Sequence, residues 1–273
     1  MIVNYPRMRR RRAAWPDDLD TALEFSSANS FSVAAPKNWD GKIEYTNGHG
    51  WKTWDGGAIA SGEIENNHCI YLRGIRNTKI TGVNSINAKW NISGTNIVCN
   101  GDIDRLLDYS AVKSGKRPTM ASYCYAYMFL GCTSLTTVPS LPATTLAAHC
   151  YLYMFFGCTS LTTVPSLPAT TLAERCCAYM FFGCTSLTTV PSLPATTLTA
   201  NCYAYMFRGC TKIKLSTTAS GTYTKPYRIP QSGTGTTKKP NSMQDMFAYT
   251  GGTFKGTPEI NTTYYLDESN TIV

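Results

Sequence analysis

The same sixteen residues, GCTSLTTVPSLPATTL, occur three times in the chain, at positions 131–146, 157–172 and 183–198. They belong to a repeat of 26 residues whose copies begin CYAYMFLGC, CYLYMFFGC, CCAYMFFGC and CYAYMFRGC. A weaker fifth copy, MQDMFAYTGG, follows an insertion, because Met206 and Met246 are 40 residues apart, 14 more than one period of 26. A period of this length is typical of proteins in which each repeat buries its apolar face against the next.

The apolar residues within each copy predict how one repeat folds. In TSLTTVPSLP they recur at spacing three, like a strand and the turn after it, and the two prolines exclude a helix. ATTLAAHCYLYMFFG predicts a short helix, with a Thr cap before Leu146 and Gly157 at its end. We therefore predict a right-handed solenoid of 26-residue coils, with Leu135, Leu161 and Leu187 in one buried row.

The differences among the copies predict which side of that helix faces solvent. The copies differ at the positions of Ser122, Tyr123, Ala126 and Leu130, and offsets of three, four and seven place these positions on one helix face. We expect this face to be exposed. The unchanged methionine, phenylalanine and cysteine of each copy are then expected in the core.

Residues 23 to about 98 have a different pattern. Short, partly alternating segments such as GKIEYT, HCIYLRG and TKITGV are separated by Gly, Asn and Asp turns, which predicts a small β-sandwich of immunoglobulin-like size. The predicted fold class is therefore mixed, a β-sandwich followed by an α/β solenoid. The predicted boundaries are 1–22 for a basic arm, 23–100 for the sandwich, 101–120 for a linker and N-terminal cap, 121–211 for the repeats, and 212–273 for a basic loop insertion, the degenerate repeat and a C-terminal cap.

The chain has eleven cysteines, and eight of them occupy two positions of the repeat. Free cysteine packs as a small hydrophobic residue. The eight-residue spacing within each copy fits no zinc signature. We therefore expect buried free thiols, with disulfides or metal binding as the alternative.

The formal net charge of +8 is concentrated outside the repeats. The predicted docking arm comprises Arg7, Arg9, Arg10, Arg11, Arg12 and Trp15. Arginine pairs well with carboxylate or phosphate groups, and we expect a protein partner rather than nucleic acid, with a flexible tail as the alternative. No segment has the apolar stretch of a signal peptide or a membrane span, so we expect no export by the ordinary secretory route.

The run AYMFxGCTSLTTVPSLP resembles the BspA-like leucine-rich repeat family, in which a phenylalanine, a glycine–cysteine pair, a TSL motif and a following proline mark each coil. The period of 26 residues and the LPATTLAxxCY segment depart from that family. WDGKIEY, IYLRG and LLDYSAV ahead of such repeats are similar to an arrangement common in proteins of gut bacteria and their bacteriophages. The resemblance implies a solenoid fold and a role in surface adhesion, host contact or virion structure, without a catalytic motif.

Residues suited to catalysis or metal binding are sparse. The three histidines, His49, His68 and His149, have no metal-ligand spacing, and the repeats lack the paired carboxylates of glycosidases. Four carboxylates fit turn or cap positions better than a calcium site: Glu63, Glu65, Asp102 and Asp104. We predict no catalytic residue, cofactor or metal, and keep a carbohydrate-active hydrolase as an alternative.

The repeats offer two rows of candidate contact residues. One row consists of hydroxyl side chains on the strand side: Thr136, Thr137, Ser140, Thr162, Thr163, Ser166, Thr188, Thr189 and Ser192. The other row consists of Tyr127, Tyr153, Tyr179 and Tyr205. Both suit a glycan or another repetitive partner, because identical weak sites gain from avidity. For the tyrosines, partly buried packing is the stronger interpretation and contact with a partner is the other. For Trp39, Trp51 and Trp54 we expect a place in the core, with stacking on sugars as the alternative.

An adhesin-like repeat without an export signal predicts a bacteriophage virion protein, made in the host cytoplasm, that forms part of a head fibre, a tail fibre or a decoration. Its predicted partners are other virion proteins, bound through the arm, and a host surface protein or glycan, bound through the repeats. A homo-oligomer is left open. A bacterial cell-surface adhesin is the alternative.

Overall fold

The computed structural model describes residues 15–273. Within them strands predominate, and one α-helix occurs, α1 (Arg105–Lys113), together with 3-10 turns at Leu19–Thr21 and Ile86–Ala88. Nine strands precede α1: β1 (Leu23–Ser27), β2 (Ser32–Ala34), β3 (Lys42–Thr46), β4 (Lys52–Trp54), β5 (Ile59–Ala60), β6 (Gly62–Ile64), β7 (Asn67–Ile75), β8 (Asn91–Ser93) and β9 (Ile97–Asn100). Eight follow it: β10 (Leu135–Thr137), β11 (Thr189–Val190), β12 (Thr197–Leu198), β13 (Leu215–Ser216), β14 (Tyr223–Arg228), β15 (Thr237–Lys238), β16 (Thr263–Asp267) and β17 (Thr271–Ile272).

Two sheets form the N-terminal part of the molecule. The larger has the order β10-β9-β1-β7-β3-β4, with β6 also paired to β7, and the smaller has the order β5-β2-β8. The long strand β7 lies between β1 and β3, and its Ile70 and Leu72 are fully buried. Phe25, Trp54 and Trp90 pack together in the core that these sheets share.

The residues predicted to form a helix in each repeat instead form a ladder of turns. We call residues 122–132, 148–158, 174–184, 200–210 and 240–250 the turn ladder. Alternate amides donate to the next repeat, as from Tyr125 N to Cys150 O at 2.9 Å, and the amides between them donate three residues back, as from Met128 N to Tyr125 O at 3.2 Å. The fifth copy joins in the same way, because Phe207 N donates to Met246 O at 3.0 Å.

Positive φ angles explain why this segment is not helical. In the first copy Tyr123, Tyr127 and Gly131 have φ values of 58°, 62° and 70°. The positions four residues apart in the other copies repeat this pattern: His149, Tyr153, Gly157, Arg175, Tyr179, Gly183, Asn201, Tyr205, Gly209, Asn241, Asp245 and Tyr249. A left-handed residue ends an α-helix. An amide that donates to another repeat also cannot donate to the carbonyl four residues back, as an α-helix requires. The predicted helix after Leu146 is therefore wrong.

The strand side of the repeats also departs from the prediction. A leucine-rich solenoid has one strand per coil in a continuous parallel sheet, but residues 161–163 lie outside any strand. β10 pairs with β9 and β11 pairs with β17, so these strands do not pair with each other. The predicted fold class, a β-sandwich followed by a right-handed α/β solenoid, is thus wrong, because the chain forms several small sheets and a ladder of turns.

The predicted core residues are nevertheless buried. Leu135, Leu161 and Leu187 are fully buried in one cluster that extends from Leu23 to Leu266. The invariant phenylalanines of successive copies stack with ring centroids 5.4–5.6 Å apart: Phe129, Phe155, Phe181, Phe207 and Phe247. Like residues meet like residues because each copy has the same turn geometry.

Residues 80–103 form an additional layer against the first repeat. Ile80 N donates to Cys124 O at 2.9 Å and Trp90 N donates to Met128 O at 2.8 Å. On the strand side, Ile97 N donates to the carbonyl oxygen of Ser134 at 2.8 Å. The first copy therefore has hydrogen-bond partners outside the repeats.

The C-terminal segment completes the strand side at the other end. β17 runs parallel to β11. Asn270 is fully buried, and its Nδ2 donates to Thr188 O and Lys212 O at 3.0 Å each, while its Oδ1 accepts a hydrogen bond from Lys214 N at 2.8 Å. Asn270 thereby links the third copy to the fourth, whose sequence changes to TKIKLS.

Candidate functional site

The predicted tyrosine row lies along the turn ladder. Each of these tyrosines has a φ between 56° and 62°, a conformation that costs a non-glycine residue roughly 1–2 kcal/mol. The rings of neighbours stack, with centroids 5.1 Å apart for Tyr127 and Tyr153, 4.5 Å for Tyr153 and Tyr179, and 4.6 Å for Tyr179 and Tyr205. Stacking offsets part of the backbone cost.

The stacking determines what this row offers to a ligand. The faces of the Tyr153 and Tyr179 rings are covered by neighbouring rings, which leaves ring edges and hydroxyl groups for contact. The Tyr127 hydroxyl donates to Asn84 Oδ1 at 2.7 Å. Burial raises the pKa of Tyr153 to about 12, with Tyr179 and Tyr127 adding to the rise and Arg175 opposing it. The hydroxyl therefore stays protonated at neutral pH.

A groove of about 300 Å³, the tyrosine groove, runs beside this row. Its floor contains the buried side chains of Leu152, Ala178 and Ala204. These residues are the counterparts of Ala126, so the prediction that this position faces solvent is wrong. The four tyrosines line the groove together with the floor residues, Arg175, Asn201 and Asn84.

A second row, Tyr123, His149, Arg175 and Asn201, follows the other positive-φ positions. The rings of Tyr123 and His149 stack with centroids 4.4 Å apart. Burial lowers the pKa of His149, with Glu174 opposing this shift and Arg175 adding to it. Arg175 Nε lies 3.8 Å from Glu174 Oε1, and both side chains are more than half exposed.

A third row consists of Leu130, Phe156, Phe182 and Arg208. The rings of Phe156 and Phe182 stack with centroids 4.8 Å apart. Arg208 Nη1 lies 3.0 Å from Asp245 Oδ2, and its guanidinium lies 4.6 Å from the centre of the Tyr249 ring. The positive charge of Arg208 is therefore matched by a carboxylate.

The predicted hydroxyl row is not an even surface. In the first copy, Thr137 is half-buried in β10, Thr136 Oγ1 donates to Ile97 O at 3.0 Å, and Ser140 Oγ donates to Gly101 O at 3.1 Å. In the second copy, all three residues are exposed: Thr162, Thr163 and Ser166.

The third copy has yet another arrangement. Thr188 Oγ1 donates to Thr162 O at 3.2 Å, and Ser192 N donates to Val273 O at 2.8 Å. Thr189 is buried, and its Oγ1 accepts a hydrogen bond from Val164 N at 2.7 Å. The hydroxyl groups that remain available to a ligand are mainly those of the second copy.

The predicted docking arm lies largely outside the described residues, which exclude Arg7, Arg9, Arg10, Arg11 and Arg12. Trp15 packs edge-on against Tyr71, with centroids 5.6 Å apart. Asp18 then pairs with Arg73, whose Nε also lies 2.9 Å from Glu44 Oε2. These contacts attach residues 15–18 to the larger sheet.

The tryptophans of the N-terminal part belong to the core or its border. Trp39 and Trp54 are buried and stacked, with centroids 5.2 Å apart, which confirms the predicted place in the core for both. Trp51 is half-buried beneath Arg73, whose guanidinium lies 3.9 Å from the ring centre.

Asp104 is the most perturbed carboxyl group near the repeats. Burial raises its pKa to about 6, Asp102 adds to the rise, and Tyr125 and Arg117 oppose it. The Tyr125 hydroxyl lies 3.2 Å from Asp104 Oδ1. Asp104 directly precedes α1, Asp102 lies two residues before it, and Glu65 lies in the turn between β6 and β7, as the turn or cap interpretation predicts. That interpretation is wrong for Glu63, which lies within β6.

All eleven cysteines are buried free thiols in the structure, which agrees with the prediction of burial. Within residues 15–273, no three His, Cys, Asp or Glu side chains lie close enough together to hold a metal ion. None of the helices in this part of the chain is long and apolar enough to cross a membrane.

Comparison of the chain with family models, with curated proteins and with solved structures found no match.

Proposed function

We propose that the protein is a non-enzymatic structural and adhesion component of a bacteriophage virion, in a head fibre, a tail fibre or a decoration. The observation that carries this proposal is the tyrosine groove, which repeats the same side chains in register over four layers. A repeated surface suits a repetitive host glycan or surface protein, because weak identical contacts add through avidity. The resemblance of the repeat motif to the BspA-like family, which implies such roles, supports the same proposal.

The chemistry of the groove favours binding over catalysis. Its lining consists of tyrosine, asparagine, arginine and small or apolar side chains. Such groups donate hydrogen bonds and orient a ligand, whereas a general base needs a pKa near the working pH. The turn ladder holds them on a backbone whose layers are joined by hydrogen bonds.

The N-terminal arm is proposed as the segment that docks on other virion proteins. Its arginines suit carboxylate groups on such a partner, and Trp15 and Asp18 attach the end of the arm to the larger sheet. Eleven free thiols suit assembly in the reducing host cytoplasm. An exported cell-surface adhesin is the rival, and it would carry these thiols into oxidising surroundings.

Mass spectrometry of purified virions tests this proposal. We expect the protein at a defined copy number per particle. Deletion of residues 2–14 should leave the thermal melting of the repeats unchanged and abolish incorporation into particles. Normal incorporation of the truncated chain would refute the docking role of the arm, and detection only on bacterial cell surfaces would favour the adhesin.

A further inference from the structure

We propose that the tyrosine groove binds an oxyanion, the carboxylate or phosphate group of an acidic saccharide, with Arg175 as the charged ligand and the hydroxyl groups of Tyr153 and Tyr179 as flanking donors. The choice of a saccharide rests on the proposed adhesion function. The oxyanion site rests on the residues of the groove alone.

The surroundings of Arg175 distinguish it from the other arginine of the turn ladder. Within the described residues, its one ion pair is with Glu174, and the 3.8 Å between Nε and Oε1 is longer than a hydrogen bond. Arg208, by contrast, has a 3.0 Å contact with Asp245. A guanidinium has five N–H donors, so Arg175 retains donors that point to no protein acceptor in this part of the chain.

Arg175 lines the same groove as Tyr153 and Tyr179, and its positive charge acts on the hydroxyl groups of both. Burial raises the pKa of Tyr179, and so does Tyr205, while Tyr153, Arg175 and Arg208 lower it. The same arginine opposes the rise in the pKa of Tyr153. One cation therefore acts on two neighbouring hydroxyl groups whose rings are 4.5 Å apart.

The lining of the groove matches an acceptor-bearing ligand. It contains tyrosine hydroxyls, the Asn201 amide and the Arg175 guanidinium, and no carboxylate. Charge-assisted hydrogen bonds from arginine to carboxylate or phosphate are the strongest of the common polar contacts. The small apolar floor, with Ala178 and Ala204, leaves room for the ring of a sugar above it. A volume of about 300 Å³ is at the lower end of small-ligand pockets, which suits a short saccharide.

Calorimetric titration of the full chain tests the site with three probes: an oligogalacturonate, its methyl ester, and a sugar phosphate. The methyl ester has the same sugar rings without the negative charge. We expect binding of one or both acidic probes and at least tenfold weaker binding of the ester. Preference between the carboxylate and the phosphate probe then identifies the source of the oxyanion.

Variants of the groove separate charge from packing. Arg175→Gln should weaken binding of the acidic probe by about tenfold or more, since it removes a charge-assisted hydrogen bond. Tyr153→Phe and Tyr179→Phe keep the stacked rings and should each weaken it by about threefold. Glu174→Gln removes the competing carboxylate and should strengthen it. Arg76→Gln is the matched control, because Arg76 is exposed and lies outside the groove, and it should leave affinity unchanged.

Equal binding of the acidic probe and its methyl ester would overturn the oxyanion site, while leaving a role in neutral glycan adhesion intact. An Arg175→Gln variant that melts like the parent chain and binds the acidic probe equally well would also overturn it. No binding of any probe by the intact chain counts against the site as well. Absence of the protein from virions would refute the proposed function without touching these titrations.

Discussion

Each repeat has two halves, and sequence relates to structure differently in each. The sixteen-residue half is identical in three copies, yet it forms a strand paired with β9 in the first and no strand in the second. In the third it forms two strands, β11 paired with β17 and β12 paired with β15. The turn ladder varies in sequence at the positions of Tyr123 and Ala126, yet its hydrogen-bond pattern is the same between all neighbouring copies.

The partners of the backbone amides explain this difference. Layers of the turn ladder bond to other layers of the same kind, and at the first copy Ile80 N and Trp90 N donate to Cys124 O and Met128 O as a preceding layer would. The sixteen-residue half bonds to residues 97–101 at one end, and to β15 and β17 at the other. Strand formation depends strongly on such surroundings, so identical residues adopt different structures.

The largest expected effect comes from a substitution in the core that both halves of the repeats share. Leu161→Asp places an unpaired charge in the fully buried middle of the stack, and we expect it to destabilise the chain by about 4 kcal/mol or more. Its neighbour Thr162 is exposed, so Thr162→Asp should change stability by no more than about 0.5 kcal/mol. Urea unfolding followed by circular dichroism measures both. Similar losses for the two variants would contradict the burial of the second copy.

A smaller loss of stability, confined to the strand side of the repeats, is expected from a substitution of Asn270. Asn270→Ala removes three buried hydrogen bonds, to Thr188, Lys212 and Lys214, and should cost about 3 kcal/mol. Amide hydrogen exchange should rise at Val273, whereas amides of the turn ladder keep their protection.

Thr271→Ala is the matched control, because Thr271 is exposed and the variant keeps the backbone bonds of β17. Equal exchange across both halves of the Asn270→Ala variant would show that the halves are not independent.

The pH should change the free energy of unfolding through Asp104, which lies beside Tyr125 of the first copy. The pKa of Asp104, about 6 in the folded protein, is above the roughly 3.9 of an unfolded chain. The folded state then binds more protons between these values, so this group makes the protein more stable as the pH falls from about 7 to 4. Asp104→Asn should remove that dependence and stabilise the protein at pH 7 by on the order of 2 kcal/mol.

The difference in unfolding free energy between the parent chain and Asp104→Asn isolates this effect. His149, whose pKa is lowered by burial, acts in the opposite direction but is present in both proteins. A difference that stays constant from pH 4 to 7 would contradict the raised pKa of Asp104.

The smallest expected effect concerns one turn of the ladder. Gly157 has a φ of 70°, and a Cβ there would lie 3.9 Å from the nearest atom, Gly131 Cα. Gly157→Ala should therefore cost only the backbone strain, about 1 kcal/mol. Gly256→Ala is the control, because Gly256 has open space and no positive φ. Equal melting temperatures for both variants would argue against the left-handed conformation at Gly157.

The repeat period and the buried rows were predictable from the sequence, because identical apolar residues at a fixed spacing are buried when successive repeats stack on one another. The positive φ angles were missed because tyrosine rarely adopts them. A signal was present, however, since Asn201, Asn241 and the glycine of each of the first four copies, such as Gly131, fall on the same four-residue spacing. Glycine and asparagine are the residues that most readily take positive φ.

The tyrosine row was predicted as a contact surface, but the groove beside it was not. The helix interpretation put Arg175 and Ala178 together on one exposed face. In the turn ladder the alanine forms the floor and the arginine lies on the wall. The distinction depends on backbone turns that the apolar pattern alone does not reveal.

The sequence by itself determined the 26-residue period, the apolar residues that enter the core and the uneven distribution of charge, because these depend on residue identity and spacing. Only the tertiary structure decided which amides bond between layers, which hydroxyls of the identical copies remain exposed, and where Arg175 lies. Those outcomes depend on segments distant in sequence, such as residues 80–103 and Asn270, that supply hydrogen-bond partners the repeats do not contain.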